Sequence, residues 1–157
     1  MTIKFLKTKM EIDKEIQSKF DDNYHRATVN IVFTYNWLAY TMRGQLEKYN
    51  ITQQQYNVLR ILRGQVPNPA TVNLLKDRML DKMSDASRIV DRLVQKNLVT
   101  RCTNNKDRRA VDIRISDEGL AILAKLDVEL KTSDVIKGNI TEDEAAQLSA
   151  LLDKMRG

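Results

Sequence analysis

The sequence predicts a mainly helical protein that carries one small β-hairpin. Apolar residues recur at helical spacing over most of the 157 residues, and only five glycines and two prolines interrupt them. One short stretch instead alternates Val111, Ile113 and Ile115 with Asp112 and Arg114, which is typical of a half-buried strand. The composition, 42% apolar and 30% charged, is that of a folded globular protein.

The first long helix is expected from Tyr24 to about Lys48 and has two apolar faces. One face carries Ile31, Tyr35, Leu38, Met42 and Leu46, and the other carries Val29, Phe33, Trp37 and Tyr40. A helix that is apolar on two sides is buried on two sides. The sequence leaves open whether the second face lies against another subunit or along a small-molecule crevice.

Three shorter helices are expected next. Thr52 and Gln55 form a capping box at the start of a helix that ends at residues 64–69. A short helix over residues 71–80 follows, and Ser84 is expected to cap another over residues 84–97. Two short helices joined by a few residues, the second basic on its outward face, form a helix-turn-helix candidate.

The outward face of residues 84–97 carries side chains suited to DNA. Ser87 and Arg88 lie in the first turn, where a recognition helix contacts base edges, and arginine can pair bidentately with guanine. Arg92 and Lys96, and Lys82 in the turn, are expected to bind phosphates. A solvated helix face with internal ion pairs is the alternative interpretation. The residues assigned to DNA in this part of the chain are Lys82, Ser84, Ser87, Arg88, Arg92 and Lys96.

A hairpin with a charged tip follows. Its strands are expected over residues 98–103 and 110–115, with Asp107, Arg108 and Arg109 at the tip. An ion pair between Asp107 and Arg109 would present the arginine to the narrow, electronegative minor groove. A helix-turn-helix followed by such a hairpin is a winged helix, so the sequence predicts duplex DNA as a partner.

The net charge is concentrated in the same segment. Residues 72–116 contain eleven Lys and Arg against six Asp, whereas the rest of the chain holds fifteen residues of each sign. The whole excess of +5 therefore falls where a phosphate backbone would bind.

One pattern in this region resembles a known family. It consists of Asp107-x-Arg109 and Ile113-x-Ile115-Ser116-x-x-Gly119, behind the segments 84–93 and 97–99, and it resembles the MarR family of bacterial transcriptional regulators. The resemblance covers about residues 52–123. It implies a homodimer, a palindromic double-stranded DNA operator and repression that a ligand or an oxidant relieves. By the same resemblance Arg109 is the wing arginine and Asp107 its partner.

The ends of the chain are expected to form dimer arms. Ser116 is expected to cap one helix there, and Thr141 with Glu144 forms a capping box at the start of another. The two helices have apolar stripes, made by Leu120, Leu123, Leu126 and Leu130 and by Ala145, Leu148, Leu151, Leu152 and Met155. Because these stripes are far in sequence from the winged helix, we expect them, with the first helix, to face a partner subunit. The expected domains are an N-terminal helical dimerisation region (1–50), the winged helix-turn-helix domain (51–116) and C-terminal dimerisation helices (117–157). Two-fold symmetry would place the half-sites roughly 10 bp apart.

The effector is less well defined by the sequence. A small aromatic molecule is expected to bind among Tyr24, His25, Phe33, Trp37, Tyr56 and Arg60, with core packing as the alternative interpretation. The single cysteine, Cys102, is expected to be a structural residue of a wing strand rather than a redox switch. No metal or other cofactor is expected, because His25 is the only histidine and has no partners at ligand spacing.

Motifs that are typical of enzymes, secreted proteins and membrane proteins are missing from the sequence. No nucleophile with a base, paired carboxylates or glycine-rich phosphate loop is present, so the chain is not expected to be an enzyme. No signal-peptide core or apolar run near the roughly 20 residues of a membrane span is found, and a cytoplasmic protein that does not bind membranes is expected. Two alternatives stay open: a winged-helix module that binds proteins instead of DNA, and an activator without a small-molecule effector.

Overall fold

The expected fold class, mainly helical with one small hairpin, is confirmed. The structure, a computed structural model, describes residues 11–17, 19–104, 111–130 and 133–157. The elements of these residues are α1 (Ile12–Ile16), α2 (Asn23–Lys48), α3 (Gln53–Arg63), α4 (Val72–Arg78), α5 (Ala86–Gln95), β1 (Val99–Thr103), β2 (Val111–Ile115), α6 (Asp117–Glu129), α7 (Asp134–Lys137) and α8 (Glu142–Arg156). None of these helices is long and apolar enough to cross a membrane.

The chain divides into two compact units, Met1–Thr41 and Met42–Gly157. In the first unit, Arg26 near the start of α2 forms a salt bridge with Asp13 of α1. The N-terminus of α2 is also tied locally, since His25 N–H donates to Asp22 Oδ1 at 2.8 Å. The salt bridge between Arg26 and Asp13 therefore joins α1 to the beginning of α2.

The second unit is built around α3. The predicted capping box is confirmed: Thr52 N–H donates to Gln55 Oε1 at 3.1 Å, and Gln55 N–H donates to Thr52 Oγ1 at 3.2 Å. Val58, Leu59 and Leu62 on the following turns are buried. Helices α4, α5 and α6 and strand β2 all contact α3, which makes it the centre of the core.

Helix α6 belongs to this core, contrary to the expectation that its leucine stripe faces a partner. Leu123, Leu126 and Leu130 are buried in the same apolar cluster as the side chains of α3 and α5. A bidentate pair between Arg63 of α3 and Asp127 of α6, at 2.6 and 3.2 Å, holds the two helices together. The assignment of these leucines to a subunit interface was wrong, because separation in sequence does not measure separation in space.

The wing strands pair with each other and with the segment before α4. Strands β1 and β2 are antiparallel, with Val99 opposite Ile115 and Thr103 opposite Val111. Ile113, which is fully buried, also exchanges two backbone hydrogen bonds of 2.8 Å with Ala70. The base of the hairpin is thereby joined to the helix-turn-helix.

The junction between the hairpin and α6 requires a glycine. Ser116 caps α6 as expected, since its Oγ accepts from Gly119 N–H at 3.0 Å, and it also donates to Asn97 O at 2.8 Å. A Cβ on Gly119 would lie 2.5 Å from Leu98 O and 2.8 Å from Ile115 Cγ1. The close approach of α6 to both ends of the hairpin therefore depends on the missing side chain.

Candidate nucleic-acid interface

Both helices of the helix-turn-helix begin with a side-chain cap. Thr71 Oγ1 accepts from Leu74 N–H at 3.2 Å at the start of α4. The N-cap of α5 is Asp85 and not Ser84 as expected, because Asp85 Oδ1 accepts from Arg88 N–H at 3.1 Å. An N-cap carboxylate is favourable at the positive end of the helix dipole, and it is thereby committed to the protein backbone.

The turn between the helices is held from inside by Asp81. Its Oδ1 accepts from Met83 N–H at 3.0 Å and its Oδ2 accepts from the Ser84 hydroxyl at 2.6 Å. The hydrogen bonds from Ser84 and Met83 keep the pKa of Asp81 below its ordinary value. Leu80 N–H donates to Asn57 Oδ1 of α3 at 3.0 Å. The turn is therefore hydrogen-bonded to α3, and the Ser84 hydroxyl already has a partner, Asp81, within the turn.

The acidic and the basic side chains on the outward face of α5 have different surroundings. Asp91 of α5 forms a salt bridge with Arg101 of β1. The guanidinium groups of Arg88 and Arg92 are exposed and have no hydrogen-bond or ion-pair partner among the residues that the structure describes. Ser87, half-buried, lies beside Arg88 in the first turn. Two cationic groups on this face are thus free to bind an anion.

The two lysines expected to bind phosphates are engaged by the protein. Lys82 Nζ donates to the carbonyls of Lys76, at 3.3 Å, and of Asp77 at the end of α4. Lys96 Nζ donates to Asn50 O, and to Oε1 of the buried Gln55 at 3.2 Å. Lys82 therefore contacts the C-terminal carbonyls of α4, and Lys96 joins the end of α5 to the start of α3. The sequence did not indicate this role of Lys96, because its acceptors lie more than 40 residues away.

The tip of the wing, with Asp107, Arg108 and Arg109, lies outside the described residues. Below the tip, Asn104 Nδ2 donates to Asp112 Oδ1 at 2.8 Å across the two strands. Arg114 of β2 donates to Pro67 O in the loop between α3 and α4. The base of the wing is therefore fixed on two sides.

The residues expected to bind an effector fall in both units. Tyr24, His25, Phe33 and Trp37 lie in the first unit, and Tyr56 and Arg60 lie in the second. Tyr56 is buried, and the guanidinium carbon of Arg60 lies 5.7 Å from the centre of its ring, a cation–π contact. The Trp37 indole N–H is buried without a hydrogen-bond partner within the described part of the chain. The effector site stays a prediction.

No group of three or more His, Cys, Asp or Glu in the described residues is arranged to hold a metal ion. Cys102 lies exposed on β1, with its Sγ 3.9 Å from Asp112 O.

The comparisons with known proteins agree with this geometry. The MarR family model matches residues 49–110. The chain is 31% identical over 124 residues to the HTH-type transcriptional repressor MdtR of Bacillus subtilis, an alignment that covers 73% of each protein. The chain belongs to the MarR family. Like its MarR relatives it is a DNA-binding transcriptional regulator, and those relatives are regulators rather than enzymes.

Solved MarR structures share the fold. Wild-type MarR of E. coli in its apo form is 28% identical, with a TM-score of 0.63 over 82% of this chain and 95% of that one. The organohalide-sensing regulator RdhR, crystallised with 2,4-dichlorophenol, is 20% identical with a TM-score of 0.77, covering 89% and 85%. The winged-helix assignment of α3 to α6 and the hairpin follows from both likenesses.

Proposed function

We propose that the protein is a repressor that binds a palindromic operator as a homodimer, with α5 of each subunit in the major groove. The observation that carries the proposal is the charge distribution on α5. Its two acids are used within the protein, Asp85 as a cap and Asp91 in a salt bridge, while Arg88 and Arg92 have no partner among the described residues. The exposed face of the helix is therefore cationic without needing to break an internal ion pair on binding.

The two arginines are assigned different tasks. Arg88 lies in the first turn of α5, where side chains of a recognition helix reach base edges, and we assign it to a guanine. Arg92 lies one turn later and is assigned to a phosphate. Arg108 and Arg109, with Asp107 as a clamp, are proposed for the minor groove on the basis of the sequence.

Exposed apolar surface supports the homodimer. In α8, Leu148, Leu151 and Met155 are exposed although they form one apolar stripe. In the first unit, Val32, Tyr35 and Tyr40 of α2 are also exposed. Contiguous exposed apolar residues on helices are typical of surfaces that another subunit covers.

A small aromatic effector is proposed to release the repressor from DNA. MdtR is described as a repressor, and RdhR was crystallised with a chlorinated phenol. The indole N–H of Trp37 is buried and has no hydrogen-bond partner in the described part of the chain, so it is available to donate to a polar substituent of such a ligand.

The proposal is tested by selecting genomic fragments that the purified protein binds and measuring affinity against salt. We expect a palindromic site and an affinity that falls steeply with salt, since phosphate contacts release counterions. Arg92→Ala should reduce the salt slope by about 1 for each arginine lost, whereas Arg88→Ala should relax the preference at one base position of each half-site. If both variants lose the same affinity for every sequence, the division of tasks is wrong.

Other outcomes would favour the alternatives. Affinity that does not change with salt, or no binding to duplex DNA, would favour a protein-interaction module. A mass in solution near the 18.1 kDa of one chain, rather than twice that value, would reject the homodimer. Increased transcription from the selected site in the presence of the protein would favour an activator.

A further inference from the structure

The turn between α4 and α5 exposes two large apolar side chains. Leu80 is 84% exposed and Met83 is 93% exposed, the highest value for a large apolar side chain among the described residues. A single exposed apolar residue is ordinary on a protein surface. Leu80 and Met83 lie within four positions of each other, in the turn that leads directly into α5.

The turn is not a loose loop in which these side chains could fold back. Met83 N–H is held by Asp81 Oδ1 at 3.0 Å, and Leu80 N–H by Asn57 Oδ1 at 3.0 Å. Ser84, which follows Met83, donates its hydroxyl hydrogen to the other carboxylate oxygen of Asp81. Hydrogen bonds therefore hold the backbone on both sides of Met83, and its side chain is exposed on this turn.

The position of Met83 relates it to the bases. It stands two residues before Asp85, the N-cap of α5, and so precedes the turn that carries Ser87 and Arg88. In the major groove the C5-methyl group of thymine is the one apolar group that the base edges present. A methionine side chain, unbranched and polarisable, adapts well to a small apolar partner.

We propose that Met83 contacts the C5-methyl group of a thymine in each half-site and contributes to sequence preference. The inference rests on the proposed placement of α5 in the major groove. It means that the turn before α5 contacts a base edge, in addition to the guanine contact assigned to Arg88. Leu80 lies farther from α5 along the chain and is not given this role.

The test replaces single thymines of the selected site by deoxyuridine, which lacks only the methyl group. We expect one position in each half-site at which the substitution weakens binding of the wild-type protein by about fourfold, the effect of one buried methyl group. Met83→Ala should weaken binding to the unmodified site by about sixteenfold, because the homodimer loses the fourfold contact in both half-sites. The variant should no longer distinguish thymine from deoxyuridine at these positions. Met83→Leu, which keeps an apolar side chain, should retain part of the discrimination.

Leu80→Ala is the matched control, because it removes a comparable exposed side chain from the same turn. It should leave the sensitivity to deoxyuridine unchanged. The inference is overturned if Met83→Ala keeps the full wild-type sensitivity, or if no thymine position is sensitive while Arg88→Ala still alters base preference. A wild-type protein that selects no duplex DNA overturns the proposed function and this inference together.

Discussion

Replacing Gly119 by alanine tests the packing of α6 against the wing. The added Cβ would lie 2.5 Å from Leu98 O and 2.8 Å from Ile115 Cγ1, whereas ordinary contacts begin at 3.4 Å. Leu98 O is not free to move, because it accepts from Ser116 N–H at 3.1 Å. Forced overlap in a packed region costs about 3 kcal/mol at the upper end of the usual range. Alanine in a helix recovers about 1 kcal/mol relative to glycine, which leaves a loss of about 2 kcal/mol.

The loss is measured by thermal unfolding at one fixed protein concentration, since a dimer unfolds in a concentration-dependent way. For a chain of this length, about 2 kcal/mol corresponds to a Tm lower by roughly 4–8 °C. Gly138→Ala is the matched control, because nothing lies within 4 Å of its Cβ position, and Gly138 has an ordinary φ of −81°. Equal melting temperatures for the two variants would refute the argument from close approach.

Three further variants follow from individual contacts. Asp127→Asn should lower the Tm at neutral pH, and the difference from the wild type should shrink as the pH falls from about 5 to about 3. The hydrogen bond from Arg63 holds the pKa of Asp127 below its ordinary value in the folded protein, so its stabilisation exists above the unfolded pKa and is lost as the pH falls through the folded one. Lys96→Met should reduce stability by about 1 kcal/mol in urea unfolding, because the Nζ contact with Gln55 is lost. The same variant should leave the salt slope of DNA binding at the wild-type value. Thr52→Ala should destabilise the protein by about 1 kcal/mol in the same assay, because it removes the N-cap of α3.

Control variants test the contacts of Asp127 and Thr52, and the salt slope of DNA binding tests that of Lys96. Asp153→Asn removes a carboxylate whose ion pair, with Arg156, lies within α8, and it should lower the Tm at neutral pH less than Asp127→Asn does. If Lys96→Met lowers the salt slope by as much as Arg92→Ala, then Lys96 binds phosphate and its contact with Gln55 is secondary. Thr52→Ser keeps a capping hydroxyl and should recover most of the stability lost in Thr52→Ala.

The parts of the fold that depend on neighbours in sequence could be predicted from the sequence. The capping boxes at Thr52 and Thr141 are examples, because an N-cap and the third helical residue meet as soon as the turn forms. The cap at Ser116 and the alternating strand around Ile113 are equally local. The basic character of α5 also follows directly from its composition, which is why the winged helix was predictable.

Only the tertiary structure decided what these elements contact. Helical spacing showed that Leu123 lies on an apolar face. Because the hydrophobic effect is non-directional, the sequence does not specify which apolar surface that face packs against. The packing of α6 on α3 places Leu123 in the core. Likewise, Asp91 has arginines near it in the chain, but its partner is Arg101, which the hairpin brings beside α5. The contact of Lys96 with Gln55 also depends on the fold, because these two residues are far apart in the chain. Periodicity and charge are properties of the chain, whereas a buried partner or an ion pair depends on which elements meet.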